Sequence, residues 1–427
     1  MLPEIRYNVK TLAFLHACMT EAKSVQEFPN TASMFTAWNN LVKAIKGGRE
    51  LVLRHTREFD LWEYYTVDET VYLVNNHCRD ILKSADQLKR HSAGDMQKSV
   101  PDCIVEEDRN FLEQRLGFVV GVLDHDSVKG DRFLEEWAAV RSRLEKQVQC
   151  VQRINRGDVN WKTKLVIADG GRSTVYSTSW MGREVALKVM NDSEHPNGRH
   201  GRFAEFFAEI ALNAKFGHPH IVRMLAMSSV VENSGIVDRP FLVMELAKEN
   251  LETWYKRQHL EAWPLKRSVL FQAAEAVCHL HSQGVVHRDI KPQNILVFPG
   301  SEEACLIIKL CDLGVATKQS TRWRRRTQRE QPGTFLYQAP ELFDGKRSSP
   351  ESDVFSFGTV MVEVVAGCEP YGYKGYPGLK AKADGRLPCA IPNACPQDLR
   401  LLIQRCLLPN PDARPTMREV QGILNGE

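Results

Sequence analysis

The sequence predicts an α+β unit preceded by an all-α helical bundle. Three observations predict it. Residues 1–150 carry only apolar stripes at helical spacing, short alternating apolar runs begin near Trp161, and helical patterns separated by Gly- and Pro-rich turns return from Pro264. The division that follows is a bundle over 1–150, a linker over 151–161 and a second domain over 162–427. A chain of 427 residues has room for two or three domains at about 150 residues each.

The elements follow in order. Leu12, Leu15, Met19 and Ala22 form one helical stripe, which ends before Pro29. Phe35, Trp38, Val42 and Ile45 form a second, closed by Gly47 and Gly48. Val74, Cys78, Ile81, Ala85 and Leu88 recur at steps of four and three. Leu112, Leu116, Val119 and Leu123 repeat that pattern, as do Phe133, Trp137, Val140, Leu144, Val148 and Val151. Four or five amphipathic helices without a strand signal make a bundle. The polar stretch 91–102, broken by Gly94 and Pro101, reads as an exposed loop. Beyond the linker, Leu165–Ile167, Thr174–Tyr176 and Glu184–Met190 read as strands of an antiparallel sheet.

Composition narrows the classes. Hydrophobic residues make up 43% and charged residues 26%, which excludes collagen-like, low-complexity and disordered chains. The net charge is +3, from 56 basic and 53 acidic residues, so no nucleic-acid partner is expected. Eleven scattered cysteines without a C-x-x-C pair read as reduced thiols of a cytoplasmic protein. His279 and His281, two apart, fit no helical metal pair. The apolar stretch Thr11–Met19 is interrupted by His16 and lacks a cleavage site, and no run of about 18 apolar residues occurs, so neither a signal peptide nor a transmembrane segment is expected.

Chemistry concentrates in the second domain. The glycine-containing turn within 167–176 (IADGGRSTVY) offers backbone N–H groups to phosphate oxygens, although such a turn alone serves equally as a hairpin. Lys188 ends the apolar run Val185–Leu187. From this strand alone it is either a lysine reaching back to solvent or one turned inward to a partner such as Glu209. The segment 285–296 (VVHRDIKPQNIL) packs a carboxylate, a cation and an amide into six residues: Asp289, Lys291 and Asn294. Asp312, after the apolar run Leu306–Cys311, adds a second hard oxygen suited to magnesium.

In this order, Lys188, Glu209, Asp289, Asn294, Asp312 and the triplet Ala339, Pro340, Glu341 make the chain from about residue 161 resemble a eukaryotic protein kinase domain of the tyrosine-kinase-like group. Asp353 and Arg414 match later positions of that family. The resemblance implies a bilobal protein-kinase fold, with a small β-rich lobe and a large helical lobe, and a serine/threonine kinase that uses ATP and Mg2+ on protein substrates in signalling. It implies Asp289 as the base for the substrate hydroxyl and Lys291 as the lysine steadying the transferred phosphate. Lys188, paired with Glu209, would hold the α- and β-phosphates, and Asn294 and Asp312 the metal. Ala168, Gly170, Val175, Ala186 and Leu296 would surround the nucleotide. Met244 would be the gatekeeper, with Glu245 and Ala247 offering hinge backbone. Glu341 and Arg414 would form a structural ion pair.

Two departures stand out. Ala168 and Ser173 occupy the first and third glycine positions of the phosphate loop, which puts ATP affinity at issue, and Leu313 replaces the usual Phe of the metal-binding triplet. Lys291, Gly333 and Thr334 resemble serine/threonine kinases, and His218–Pro219 and the run Arg414–Met417 resemble the tyrosine-kinase-like group, whose members mostly act on serine and threonine. The preceding bundle resembles, in helix count and order, that of mixed lineage kinase domain-like proteins, which implies regulation or partner-protein binding there. Hence the alternative is a pseudokinase-like scaffold or membrane-acting effector that works through the bundle. The arginine-rich stretch after Thr317 reads either as a solvated loop that docks acidic partners or, as the resemblance implies, as a segment ordered by an activating phosphate on Ser320, Thr321 or Thr327 that would neutralise Arg288, an unpaired cation beside Asp289.

Overall fold

The computed structural model describes residues 5–23, 32–61, 67–88, 99–170, 173–191, 198–229, 231–232, 235–236, 239–257, 263–300, 305–315, 317–318, 335–343, 348–370 and 388–426. It divides into two compact units, Met1–Lys146 with Glu194–Phe207, and Gln147–Ser193 with Ala208–Glu427. This division follows contacts rather than chain order.

The first unit contains α1 (Val9–Lys23), α2 (Ala32–Arg54), α3 (Val67–Gln87), α4 (Asp102–Val119) and α5 (Leu134–Val148). Its core joins Leu12, Leu15 and Met19 to Leu41, Val74, Cys78 and Ile81. Helix α2 corrects the sequence reading twice. It runs through Gly47 and Gly48 without a break and buries Ala37, Leu41, Ala44, Gly48, Leu51 and Val52, while Phe35 and Val42 stay exposed. The glycines are points of close approach: a Cβ on Gly48 would stand 2.7 Å from Met19 Sδ, and one on Gly47 2.7 Å from His77 Cε1. Leu123, Phe133 and Val151 lie just beyond their helices, which end or begin a few residues short of the apolar stripes. The α1 N-terminus is capped from far away, since Asp108 of α4, itself buried, accepts from Lys10 N (3.1 Å) and Thr11 N (2.8 Å).

The second unit opens with β1 (Gln152–Ile154), β2 (Leu165–Asp169), β3 (Ser173–Trp180) and β4 (Arg183–Met190), then takes the C-terminal part, from Ala208, of α6 (Gly198–Lys215), and β5 (Met224–Ser228). Then come β6 (Val231–Glu232), β7 (Gly235–Ile236), β8 (Phe241–Glu245) and β9 (Glu249–Asn250). One sheet has the order β1-β5-β8-β4-β3-β2, antiparallel except for β1 on β5. The stretch read as a linker therefore carries an edge strand. Its Ile154 and Val159 belong to the sheet's core with Val185, Leu187 and Phe241.

Helices dominate the rest. These are α7 (Leu251–Arg257), α8 (Trp263–Ser282), α9 (Pro340–Phe343), α10 (Pro350–Ala366), α11 (Gln397–Cys406) and α12 (Met417–Asn425), with short strands β10 (Val285–Val286), β11 (Ile295–Pro299), β12 (Leu306–Leu310) and β13 (Thr317–Lys318). Helix α10 is buried along nearly its whole length, as its apolar sequence dictates, and is bounded by a Ser349 capping box and a left-handed Gly367. Cys368 and Cys389 lie side by side near the end of α10, their Cα atoms 7.0 Å apart, a proximity that no spacing rule reports. The other nine cysteines are free. Among the described residues, no helix is long and apolar enough to cross a membrane.

Within α10, Glu363 is fully buried and accepts from Tyr337 Oη at 3.0 Å. Burial pushes its carboxyl from 4.5 up to about 9, so it is protonated at neutral pH. Between those two values the folded chain holds a proton that the unfolded chain has released, and stability falls as pH rises through that window. Glu363→Gln is expected to raise the melting temperature over wild type more at pH 8 than at pH 5. An equal change at both pH values would show that this carboxyl ionises normally.

Candidate active site

Strand β4 turns Lys188 inward. Its Nζ donates to Glu209 Oε1 of α6 at 2.6 Å and to Asp312 Oδ1 at 2.9 Å, and the side chain is 11% exposed, so it does not reach back to solvent. Burial alone would lower the ammonium's pKa, but the Asp312 and Glu209 carboxylates raise it above its ordinary value. In return, the Lys188 charge holds Asp312 well below the usual carboxylate range despite its partial desolvation. Asp312 thus stays ionised, and with its side chain 41% exposed it also faces open space. An ionised oxygen donor open on one side fits a hard divalent cation. Asp312 itself has φ 63°. A Cβ on Gly314 would lie 3.2 Å from Asp312 Oδ1 and 3.3 Å from Glu209 Oε2, so glycine there is what lets the two carboxylates approach.

A second polar group lies between β10 and β11. Asp289 Oδ2 takes a bond from Lys291 Nζ at 2.9 Å and one from Asn294 Nδ2 at 3.0 Å, and the same amide reaches Asp289 O at 2.8 Å. The loop's shape is imposed by Asp353 of α10, which accepts from His287 N (2.7 Å) and Arg288 N (2.9 Å) and meets His281 Nε2 at 2.9 Å. Those bonds hold Arg288 in the left-handed region at φ 73°, a strain of about 1–3 kcal/mol that persists only where the surroundings enforce it. Arg288 corrects an expectation, because its Nε donates to Ser348 Oγ at 3.3 Å and the cation is not unpaired.

The two groups are tied together through Cys311. Its N–H donates to Asn294 O at 2.9 Å, and its carbonyl accepts from His287 Nε2 at 3.1 Å. His287 Nδ1 in turn accepts from Asp289 N at 3.2 Å, which fixes the proton on Nε2. Asp289 and Asp312 are thus braced against one another by one main-chain bond and the His287 ring.

The remaining candidates border this region. Val175 pairs with Lys188 across β3 and β4, and Ala186 with Met244 across β4 and β8. Leu296 is on β11 opposite Lys309. Glu245 spends its carboxylate on Lys309 Nζ (2.8 Å) and Arg223 N (2.7 Å), so only main chain is left for a ligand there; Ala247 follows two residues on. Ala168 lies exposed next to the last residue of β2, and Gly170 N donates to Ser173 O at 3.0 Å. Sequence reasoning missed the brace of this loop. Thr174 Oγ1 lies 2.7 Å from Asp169 Oδ1 and 2.9 Å from Asn191 Oδ1, and Asn191 Nδ2 donates to Gly170 O at 2.7 Å. Side chains thereby link Asp169 and Gly170 to Thr174 and Asn191, next to the positions where Ala168 and Ser173 replace glycines. Ser320, Thr321, Thr327, Thr334 and the arginines of 322–329 lie outside the described residues, as does 91–98 of the loop read from sequence.

The protein kinase domain family matches residues 161–423. The chain belongs to that family. A protein kinase domain works with ATP and a divalent metal ion and acts on protein substrates. The chain is 28% identical over 286 residues to a putative mitogen-activated protein kinase kinase kinase 7-like protein of Drosophila melanogaster, covering 64% of this chain and 67% of that one. It is 31% identical over 264 residues to the dual specificity protein kinase shkA of Dictyostelium discoideum, covering 60% of this chain and 47% of that protein. It is 27% identical over 294 residues to human mitogen-activated protein kinase kinase kinase 7, with coverage of 64% and 43%. The chain thus spans less than half the length of the last two relatives.

Proposed function

We propose that the protein is a signalling serine/threonine kinase that transfers the γ-phosphate of ATP, as its Mg2+ complex, to protein hydroxyls. The observation that carries the reading is the junction of two intact groups, Lys188–Glu209–Asp312 and Asp289–Lys291–Asn294, bonded to each other through Cys311. In this reading Lys188 anchors the α- and β-phosphates, and Glu209 keeps it in place. Asp289 accepts the hydroxyl proton as the oxygen attacks, and Lys291 offsets charge on the phosphoryl group in flight. Asn294 and Asp312 would hold the magnesium ion, which would neutralise phosphate charge. Val175, Ala186, Met244 and Leu296 would line the adenine, with the main chain of Glu245 and Ala247 as its hydrogen-bonding edge. Gly170 would cover the phosphates together with Ala168.

Lys291 and the kinase names of the relatives favour serine and threonine, while the relative named dual specificity makes tyrosine an outcome to check. Cytoplasmic ATP and the nine free cysteines agree with work in the cytoplasm. Residues 1–150 would be a regulatory or partner-binding bundle, in keeping with the resemblance to mixed lineage kinase domain-like proteins in helix count and order. No role for nucleic acid is proposed, given the near balance of 56 basic and 53 acidic residues.

The test is incubation of the purified full chain with labelled ATP, Mg2+ and a generic protein substrate, with Lys188→Met alongside. Label on serine or threonine is expected, at least tenfold lower for Lys188→Met because the phosphates lose their anchor and Glu209 is left as a buried, uncompensated carboxylate. Binding of nucleotide without any transfer would favour the alternative, a scaffold or effector acting through the bundle. Label on tyrosine alone would overturn the substrate class.

A further inference from the structure

Ala168 and Ser173 deprive the β2–β3 turn of two glycines, and an asparagine from the neighbouring strand holds both of its arms. Asn191 directly follows β4. Its Nδ2 donates to Gly170 O at 2.7 Å, on the arm leaving β2. Its Oδ1 lies 2.9 Å from Thr174 Oγ1, on the arm that enters β3. Thr174 is buried, and its hydroxyl also meets Asp169 Oδ1 at 2.7 Å. Gly170 N closes the turn by donating to Ser173 O at 3.0 Å.

Only one orientation of the Asn191 amide suits its neighbours. Gly170 O can only accept, and the Arg239 guanidinium can only donate. Nδ2 therefore faces Gly170, and Oδ1 faces Arg239 Nη2, 3.2 Å away. Arg239 is held in turn by the bond from its Nε to Met190 O at 3.1 Å. The brace thus runs from Arg239 through Asn191 to the turn. Asn191 stands three residues past Lys188, roughly 10 Å along an extended chain. One strand end thereby carries both the lysine of the site and the anchor of the turn.

We infer that Asn191 is a positioning residue for the phosphates of the nucleotide, holding the β2–β3 turn in the shape that offers them main-chain N–H groups and so making up for the glycines absent at 168 and 173. Asn191 touches no phosphate in this scheme and acts only through Gly170 and Thr174. A turn already fixed adds no ordering cost to binding, whereas a loosened one lowers affinity by the fraction of time it holds the competent shape. The inference rests on the kinase reading above.

The test measures Kd for Mg2+–ATP and for adenosine in the full chain, with steady-state kinetics in ATP alongside. Adenosine carries no phosphate, so it does not call on the turn. Asn191→Ala is expected to raise Kd and KM for ATP about tenfold, as when the competent shape falls to about a tenth of the population, with kcat within about twofold and adenosine affinity unchanged. Thr174→Val, which removes the hydroxyl at similar size, should do the same, and Thr174→Ser should stay near wild type. The double variant Asn191→Ala with Thr174→Val should be little worse than either alone, because both cut one brace. Equal losses for ATP and adenosine would make Asn191 a support of the sheet only and overturn the inference. ATP affinity within about twofold of wild type would overturn it as well. If Asn191→Ala does not fold, the two Thr174 variants decide on the same readout. If the wild type binds ATP without transferring phosphate, the kinase reading fails, and the ratio of the two Kd values still decides whether Asn191 acts on the phosphates. A wild type that binds no nucleotide overturns both.

Discussion

Asp289→Asn is expected to cut phosphoryl transfer at least a hundredfold while leaving the fold and the affinity for nucleotide nearly unchanged. The substitution conserves volume, and the main-chain bond from Asp289 N to His287 Nδ1 does not involve the side chain. Asparagine's amide oxygen can still accept from Lys291 or Asn294, both of which donate to the carboxylate now. What it loses is basicity, since an amide takes up no proton in water near neutral pH. A positioned base contributes typically 10²–10⁴-fold. The measurement is kcat with a generic substrate, set beside a thermal melt and a nucleotide titration. Turnover within about threefold of wild type would show that Asp289 is not the base. A large drop in melting temperature would show instead that the carboxylate mainly holds the loop together.

How much of this was legible in the sequence depended on the range of the interaction. Asp289, Lys291 and Asn294 lie within six residues, so their grouping is local and visible. Glu209 and Asp312 were legible only through their order along the chain, because no local rule says that a helix and a strand end will converge on Lys188. The helical stripes of 1–150 were visible where burial is one-sided, as on α3. They misled on α2, where tight packing uses Ala37, Ala44 and Gly48 and leaves Phe35 and Val42 outside. A Gly-Gly pair reads locally as a stop signal, while in the fold it is clearance for Met19 and His77. The same limit hid Asp108, which caps a helix about a hundred residues earlier in the chain. It also hid the Asp169–Thr174–Asn191 brace, in which ordinary polar residues stabilise a loop expected to depend on glycine. Asp353 could be matched to the family, but its task of holding Arg288 in a strained conformation requires coordinates.

Arg414→Ala is expected to be the most destabilising single change in the second unit. The guanidinium makes two parallel 2.8 Å bonds to Glu341 and donates to Leu408 O (2.8 Å), Glu351 O (2.9 Å) and Pro409 O (3.1 Å). It also stacks over Phe355 at 4.9 Å. Both side chains are shut off from solvent, at 0% and 5% exposure, so alanine would strand a buried carboxylate and three carbonyls at once. Breaking one side of such a pair costs about 3–5 kcal/mol, well above the roughly 1 kcal/mol median for point changes. Arg414→Lys keeps the charge but cannot present a planar fork to Glu341, so it should fall between alanine and wild type. Replacing both partners, as in Arg414→Met with Glu341→Leu, should be less damaging than Arg414→Ala, because no charge is left unpaired. Urea denaturation of the four proteins checks the ranking. If Arg414→Ala unfolded within about 1 kcal/mol of wild type, the pair would be incidental to the stability of this unit. If the double replacement were worse than alanine alone, the cost would lie in the carbonyls that Arg414 satisfies rather than in the orphaned carboxylate.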